Sequence, residues 1–597
     1  MKRYIATFTL LCALSLSASA QVSKQVEVTK DYAPEIGTVH KMDVTPESEV
    51  TIDVRPEIDY TITPRSFVST LGTHRIKPTK VTYWQYSGDK KPCYLKLGAG
   101  YPLNTVGDFY AATHRADVGY IAGYANHYGQ YSKLSYMNGI DGDKYKDNRS
   151  MQMNNKFGVV GGKYFGKYTL AGDVFYRMDT YHRYPLHNVY GEDGTPILEY
   201  KLRKIDFDDV CFNASFGDSF ADYSHLNFKV YASADYCRDK SEQFVEGNRF
   251  QQINVTAGAV LAREITKRSA LSLDLDYKGY YGLKSLSAYE NSIVGAKLLY
   301  RYRSGNLFDL NVGAKLFYDN NPADTQKKNR WHAFPVLNLS LNIGDHGYAV
   351  PYVEVDGELQ NNSYCSLAKL NPYIAVLGEG NSLLQADRVV PNTELYNVRF
   401  GVSGHTKNSK FAYRFYANMS FMKNALYWYN VNQIFFDVVT ANRNIWSLCG
   451  ALDYRPISEL MITAQVKGSL YNNYAKIGEE TLGGAMPNVE AMLRVRYNHK
   501  KFTLGMSAEL YGKTEWTCVQ NESLFGVENP KPTSMGTFHA PTSLNLSLYA
   551  DWHVNKTCTL FAEGNNLLGD IKALQTYNWA FYREMGASFT VGVKVLF

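Results

Sequence analysis

The stretch that decides the fold is Gly586-Ala-Ser-Phe-Thr-Val-Gly-Val-Lys-Val-Leu-Phe597. Read backwards in steps of two, it gives Phe597, Val595, Val593, Val591 and Phe589, an unbroken apolar row. Between them stand Leu596, Lys594, Gly592, Thr590 and Ser588. A period of two places alternate side chains on opposite faces of a strand. A lone strand with one apolar face leaves an edge open to aggregation, and a closed barrel removes that edge by pairing the last strand with the first. The competing reading is a core strand of a soluble β-domain, and the rest of the chain decides between the two.

The same alternation recurs upstream. Leu226, Phe228, Val230, Ala232, Ala234 and Tyr236 alternate with Asn227, Lys229, Tyr231, Ser233 and Asp235. Leu271, Leu273, Leu275 and Tyr277 alternate with Ser272, Asp274, Asp276 and Lys278; Phe411, Tyr413 and Phe415 begin another such run, and Leu544, Leu546 and Leu548 a fourth. One apolar and one polar face is what a lipid-facing wall around a wet lumen requires. These runs are longer than the five or six residues usual in soluble sheets and match the roughly nine to eleven that cross a bilayer with tilt. Short polar turns such as Phe165-Gly-Lys167, Thr266-Lys-Arg268 and Asn555-Lys556 alternate with longer connections such as 183–204, 361–392, 516–538 and 567–585. Counting from Tyr94 gives about 22 strands, with 14–20 as the alternative. The expected fold is all-β, a transmembrane antiparallel β-barrel over residues 93–597. Inward positions would carry Lys229, Lys278, Arg414, Arg494, Arg496, Asp235, Asp274, Asp276 and Glu490, a mixed-charge lumen suited to polar solutes.

Composition agrees. Among 597 residues there are 48 Tyr, and aromatics reach 14%, a bias that suits sites half apolar and half wet, as at a membrane boundary. A formal charge of +6 gives no reason to expect nucleic acid as a partner. Mean hydropathy is negative, which excludes a helical membrane protein but not a barrel, whose alternation averages hydropathy away. Lys2 and Arg3, the apolar Ile5–Leu16 run and Ala18-Ser-Ala20 read as a signal peptide, residues 1–20, cut between Ala20 and Gln21. Seven cysteines remain, scattered singly, and they read as small apolar strand residues rather than a disulfide framework or a zinc site.

Residues 21–92 differ from the strand-forming remainder of the chain. Pro34, Pro46, Pro56, Pro64, Pro78 and Pro92 space out short alternating pieces such as Glu49-Val-Thr-Ile-Asp-Val54. Proline removes a backbone donor and favours extended conformation. The expectation is an extended periplasmic tail that adds strands to a periplasmic or outer-membrane protein partner, or enters the barrel mouth.

The segment Phe561-Ala-Glu-Gly-Asn-Asn-Leu-Leu568, followed by Trp579, Tyr582, Gly586 and the strand to Phe597, resembles the end of TonB-dependent receptors, the energised transporters of the outer membrane. The resemblance implies a Gram-negative outer-membrane barrel, with the tail and C-terminus periplasmic. Its partners would be outer-membrane lipid and the barrel assembly machinery, which reads the closing aromatic. Only about seventy residues stand where that family carries a far longer plug domain, so the expectation is a plug-less relative, porin-like in passing or taking up polar solutes. The alternative is a non-transporting barrel subunit of a surface assembly, docking through residues 21–92.

Candidate site residues are few. Tyr427, Trp428, Tyr429, Tyr577 and Trp579 crowd what read as long loops, where aromatic faces could stack on a ligand. Asp141-Gly-Asp-Lys-Tyr-Lys-Asp147 lacks the Gly and Glu that a calcium loop needs, so no metal is expected, and no cofactor. Asn126 and His127 stand near a strand top, but spacing supplies no nucleophile partner, so the chain reads as a non-enzyme. A barrel hydrolase would instead require a nucleophile–base contact at the rim. Trp552 and His553 read as boundary residues.

Overall fold

The computed structural model describes residues 92–115, 117–134, 137–138, 144–145, 148–183, 204–220, 222–241, 249–304, 307–321, 330–343, 348–374, 390–406, 410–477, 480–521 and 532–597. The signal segment and the tail expected over residues 21–92 lie outside them, apart from Pro92, as does most of the Asp141–Asp147 stretch.

Twenty-two antiparallel strands close into a barrel. Each neighbours the next in sequence, and the first, Cys93–Tyr101, pairs with the last, Ser588–Leu596. The closing register runs from Tyr94 opposite Leu596 to Tyr101 opposite Phe589. At its end the Cys93 N–H donates to the Phe597 carbonyl at 2.9 Å, and the Phe597 N–H returns the bond at 3.0 Å. The alternating C-terminal row is therefore the closing stave, and its reading as a soluble core strand falls.

Parity along that stave is as the alternation predicts. Phe589 and Val591 face outward, 55% and 63% exposed, while Ser588 and Thr590 are buried. The same outward belt carries Leu97, Phe157, Leu298, Phe400 and Leu470. An exposed apolar girdle of this extent has no stable place in water and is the lipid face of a membrane barrel.

The inner wall is polar and largely ion-paired. Lys96 meets Glu563 at 2.8 Å, Lys594 meets Asp551 at 2.7 Å, Lys467 meets Glu490 at 2.8 Å and Arg399 meets Glu354 at 3.1 Å. Lys96 and Lys594 stand directly opposite each other across the closing seam. Like charges so placed repel, and here each is offset by its own carboxylate, while both ammonium groups also lie over the Phe561 ring, at 4.6 and 5.1 Å.

The two ends of the barrel differ. One carries tight turns, including Gly166-Lys167, where Gly166 takes a left-handed φ of 61°, together with Lys267-Arg268 and Ser458-Glu459. The other carries the long connections, and these contribute to a large buried apolar cluster, with smaller ones elsewhere.

Candidate functional site: a capped lumen

The wall strands Phe411–Val431 and Phe435–Ile457 are 21 and 23 residues long, well beyond what a bilayer crossing needs. A bulge separates Met422 from Ala425 in their pairing, with Asn424 at a left-handed φ of 52°. A bulge bends and twists the strand that carries it. The bend is anchored from the neighbouring connection: the Thr393 hydroxyl donates to the Asn424 carbonyl at 2.7 Å, and the Asn424 amide to the Asn392 carbonyl at 3.1 Å. Beyond it the hairpin runs on to a tight turn with left-handed Asn432 and Gln433. Its tip pairs in parallel with a second hairpin, Thr514–Asn521 with Pro532–Ala540, through Asn430 opposite Cys518 and Val431 opposite Val519.

Other connections meet this tip. The connection after the wall strand Val350–Gln360 forms a short helix, Tyr364–Leu370, and then places the Tyr373 carbonyl to accept from the Phe436 N–H at 3.2 Å. From the last long connection, Tyr582 stacks on Tyr373 at 3.7 Å between ring centroids and donates its hydroxyl to the Ile434 carbonyl at 2.6 Å. Trp579 lies 5.5 Å from Trp428, 5.2 Å from Phe436 and 5.4 Å from Trp516. Leu134, Cys237, Phe250 and Leu286, from strand tops and a connection elsewhere on the ring, belong to the same buried cluster. Side chains rooted on opposite arcs of a ring can touch only by crossing its opening. The cluster is therefore a cap across the long-loop mouth.

The helix is fixed inside the wall by several contacts. A disulfide joins Cys365 to Cys237 with Cα atoms 6.4 Å apart. Gln252 donates to the Ser363 hydroxyl at 2.8 Å, and Lys369 reaches Asp235 at 2.8 Å and Asp209 at 3.2 Å. The phenol of Tyr364 donates to the Asp239 carboxylate at 2.5 Å. Burial, then the Asp239 charge, pushes that phenol well above its ordinary range. Beside it Arg183 is fully enclosed, its guanidinium 5.8 Å from the Phe435 ring, and burial lowers its pKa while the surrounding phenols and Asp239 offset part of the cost.

The expectation that every cysteine is a solitary apolar residue is thus corrected. Cys237 and Cys365 are bonded, and a separation of 128 residues left no pattern to read. Cys365→Ser should leave the wall intact while loosening the helix. The barrel should keep its heat-modifiable mobility on gels, and the 361–392 connection should become cleavable by added protease. Equal protease resistance in the variant would show that the bond holds nothing.

Tyr427, Trp428 and Tyr429 lie on a strand rather than in a loop, because pairing continues beyond the wall into the hairpin. Trp428 and Trp579 are 2% and 1% exposed and form the centre of the cap core. Tyr427 is covered by the Arg443 guanidinium at 3.8 Å, Tyr429 donates to Asp437 at 2.9 Å, and Tyr577 packs on Phe538 at 5.2 Å. The 516–538 connection, read as a polar loop, carries the inward hairpin. Tyr373, Tyr582, Phe436 and Trp516 complete the core. Their only sequence signal is aromatic density in the connections, which a boundary girdle also produces.

Of the remaining candidates, Asn126 faces the lumen and donates to Asp108 at 2.9 Å. His127 faces outward between Thr105 and Asn155. Trp552 is 58% exposed at the outer surface, and His553 sits between Thr503 and Thr559, 3.2 Å from each. Among the described residues no group of His, Cys, Asp and Glu could hold a metal.

No protein-family model matches the chain, and no curated protein matches it in sequence. Solved structures do match in fold. The siderophore receptor PirA from Acinetobacter baumannii superposes with a TM-score of 0.62 at 10% identity, over 85% of this chain and 80% of that one. The FrpB iron transporter from Neisseria meningitidis gives 0.60 at 12% identity, over 85% and 81%. A ferric enterobactin receptor mutant from Pseudomonas aeruginosa gives 0.61 at 11%, over 85% and 80%. The chain has the 22-strand barrel fold of these receptors.

Proposed function

We propose that this chain is an outer-membrane transport protein, a plug-less relative of TonB-dependent receptors, that passes polar solutes through a charged lumen closed at its outer mouth by its own loops. In this reading the tight turns and both ends of the barrel segment face the periplasm, the cap faces outside, and residues 21–92 form a periplasmic tail that contacts a protein partner or enters the barrel from below. The closing aromatic, Phe597, is then the feature offered to the barrel assembly machinery. One observation carries the reading: an aromatic core spans the mouth above a wall lined with ion pairs. A wall of 22 strands encloses a wide passage that needs filling or gating. These half-buried pairs keep the lumen wall wet and charged. The shared fold with siderophore and iron transporters supports transport without naming a cargo.

Planar bilayers test it. The full chain should be mostly silent. Removing Tyr427–Val438 and rejoining the strands by a two-residue turn should produce stable ohmic steps, and removing residues 21–91 as well should enlarge them. If none of these forms conducts, the transport reading fails.

A further inference from the structure

Thr105, His127 and Asn155 lie on three adjacent strands, Asn104–Arg115, Gly119–Leu134 and Asn148–Phe165. The register places Leu97, Gly107, His127 and Asn155 in one transverse row, and Leu97 is 50% exposed on the outer face. The imidazole therefore lies on the lipid side of the wall. The Thr105 hydroxyl is 2.8 Å from His127 Nε2, and Asn155 Oδ1 is 2.7 Å from His127 Nδ1. A carboxamide oxygen only accepts, so Nδ1 carries the proton, Nε2 accepts, and the threonine hydroxyl donates to it. That is the order of a nucleophile, a base and a group that orients the base.

A neighbouring glycine lets the hydroxyl and the ring meet. Thr105 pairs with Gly129, and a Cβ on that glycine would come within 2.7 Å of the Thr105 hydroxyl and 3.4 Å of Nε2. The missing side chain makes room for the hydroxyl to meet the ring. Thr105 is the second residue of its strand, immediately below the Pro102-Leu103 turn at the long-loop rim, and Tyr101 and Leu103 are 78% and 60% exposed beside it. An amphipathic ring and an apolar side chain at the rim mark headgroup depth, where acyl ester bonds lie. A polar trio facing lipid is costly unless its members are hydrogen-bonded or used.

We propose that Thr105, His127 and Asn155 form an acyl-ester hydrolase site on the outer wall, acting on membrane lipid from the outer leaflet. The Thr105 oxygen attacks the ester carbonyl as His127 Nε2 takes its proton. The carbonyl carbon–alkoxy oxygen bond then breaks, and the leaving alcohol receives that proton from Nε2. Water, deprotonated by the same nitrogen, attacks the acyl-threonine, releasing a fatty acid and restoring the hydroxyl. Thr105 and His127 touch reacting atoms; Asn155 is a positioning residue that fixes the tautomer. The ester belongs to a glycerophospholipid or to lipopolysaccharide, and separate substrates distinguish the two.

The test uses full-length protein from a host without outer-membrane esterase activity, in phosphatidylethanolamine vesicles in one arm and with added lipopolysaccharide in the other. Fatty-acid release is expected in at least one arm. Thr105→Val, which keeps the branched shape, should lower it by about 100-fold or more, and Thr105→Ser should retain it. Asn155→Leu should lower kcat with KM unchanged, and Asn155→Asp should restore it. An alkyl fluorophosphonate should label Thr105. Heat-modifiable mobility confirms that each variant is folded. Release no faster from the folded wild type than from folded Thr105→Val, in both arms, overturns the proposal.

Discussion

Replacing Gly592 by valine should leave very little closed barrel. Gly592 stands opposite Gly98 in the closing register, and a Cβ there would fall 2.0 Å from the Leu97 carbonyl oxygen and 2.6 Å from the Gly98 Cα. Both obstacles are backbone, so no rotamer relieves the clash and the two terminal staves would have to separate. A net penalty of ~1.4 kcal/mol shifts the closed-to-open equilibrium constant about ten-fold, and overpacking against backbone costs more than that. The readout is the fraction of heat-modifiable protein in the membrane. Gly468→Ala is the control, since a Cβ at that position meets nothing within 4 Å. Deleting Phe597, whose backbone exchanges two hydrogen bonds with Cys93, or placing Asp at the outward Val593, should impair assembly in the same assay before any activity changes. Normal levels of all three variants would remove the closing strand from its central place.

The second large effect is expected at Trp579. Its ring contacts Trp428, Phe436 and Trp516, which come from three strands of two hairpins, so truncation to alanine empties the centre of the cap. Large-to-small changes at such buried aromatic positions cost about 3–5 kcal/mol. The wall should survive, because its ladder bonds do not pass through this residue. The cap should not. Trp579→Ala should raise single-channel conductance and the uptake of small antibiotics, with heat-modifiable mobility unchanged. A variant as silent as the full chain would show that the mouth is closed by something other than this core.

The wall was legible because it obeys a local rule. Alternation of outward Val591 and Phe589 with inward Thr590 and Lys594 is written along one strand and repeats down the chain. Connection lengths then set the strand number. The cap follows no local rule. The Tyr582 hydroxyl bonds a carbonyl 148 residues away, and the disulfide joins positions 128 apart. Tryptophan and tyrosine at a strand top look alike in sequence whether they anchor in headgroups or turn inward over the lumen. The Asn424 bulge that decides between these outcomes has no sequence signature of its own. His127 shows the same limit. Its partners lie 22 and 28 residues to either side, and only the register of three strands brings them to one ring.

The parallel pairing of Asn430 and Val431 with Cys518 and Val519 has a consequence for the molecule's company. Beyond the wall the long hairpin has left its neighbouring staves, and that pairing covers backbone amides and carbonyls that would otherwise stand bare. Each opening of the cap uncovers them, together with the facing edge of the second hairpin. Bare edges pair with whatever strand they meet. A molecule held open would therefore stick to its neighbours, edge to edge, and opening is tolerable only as a brief event.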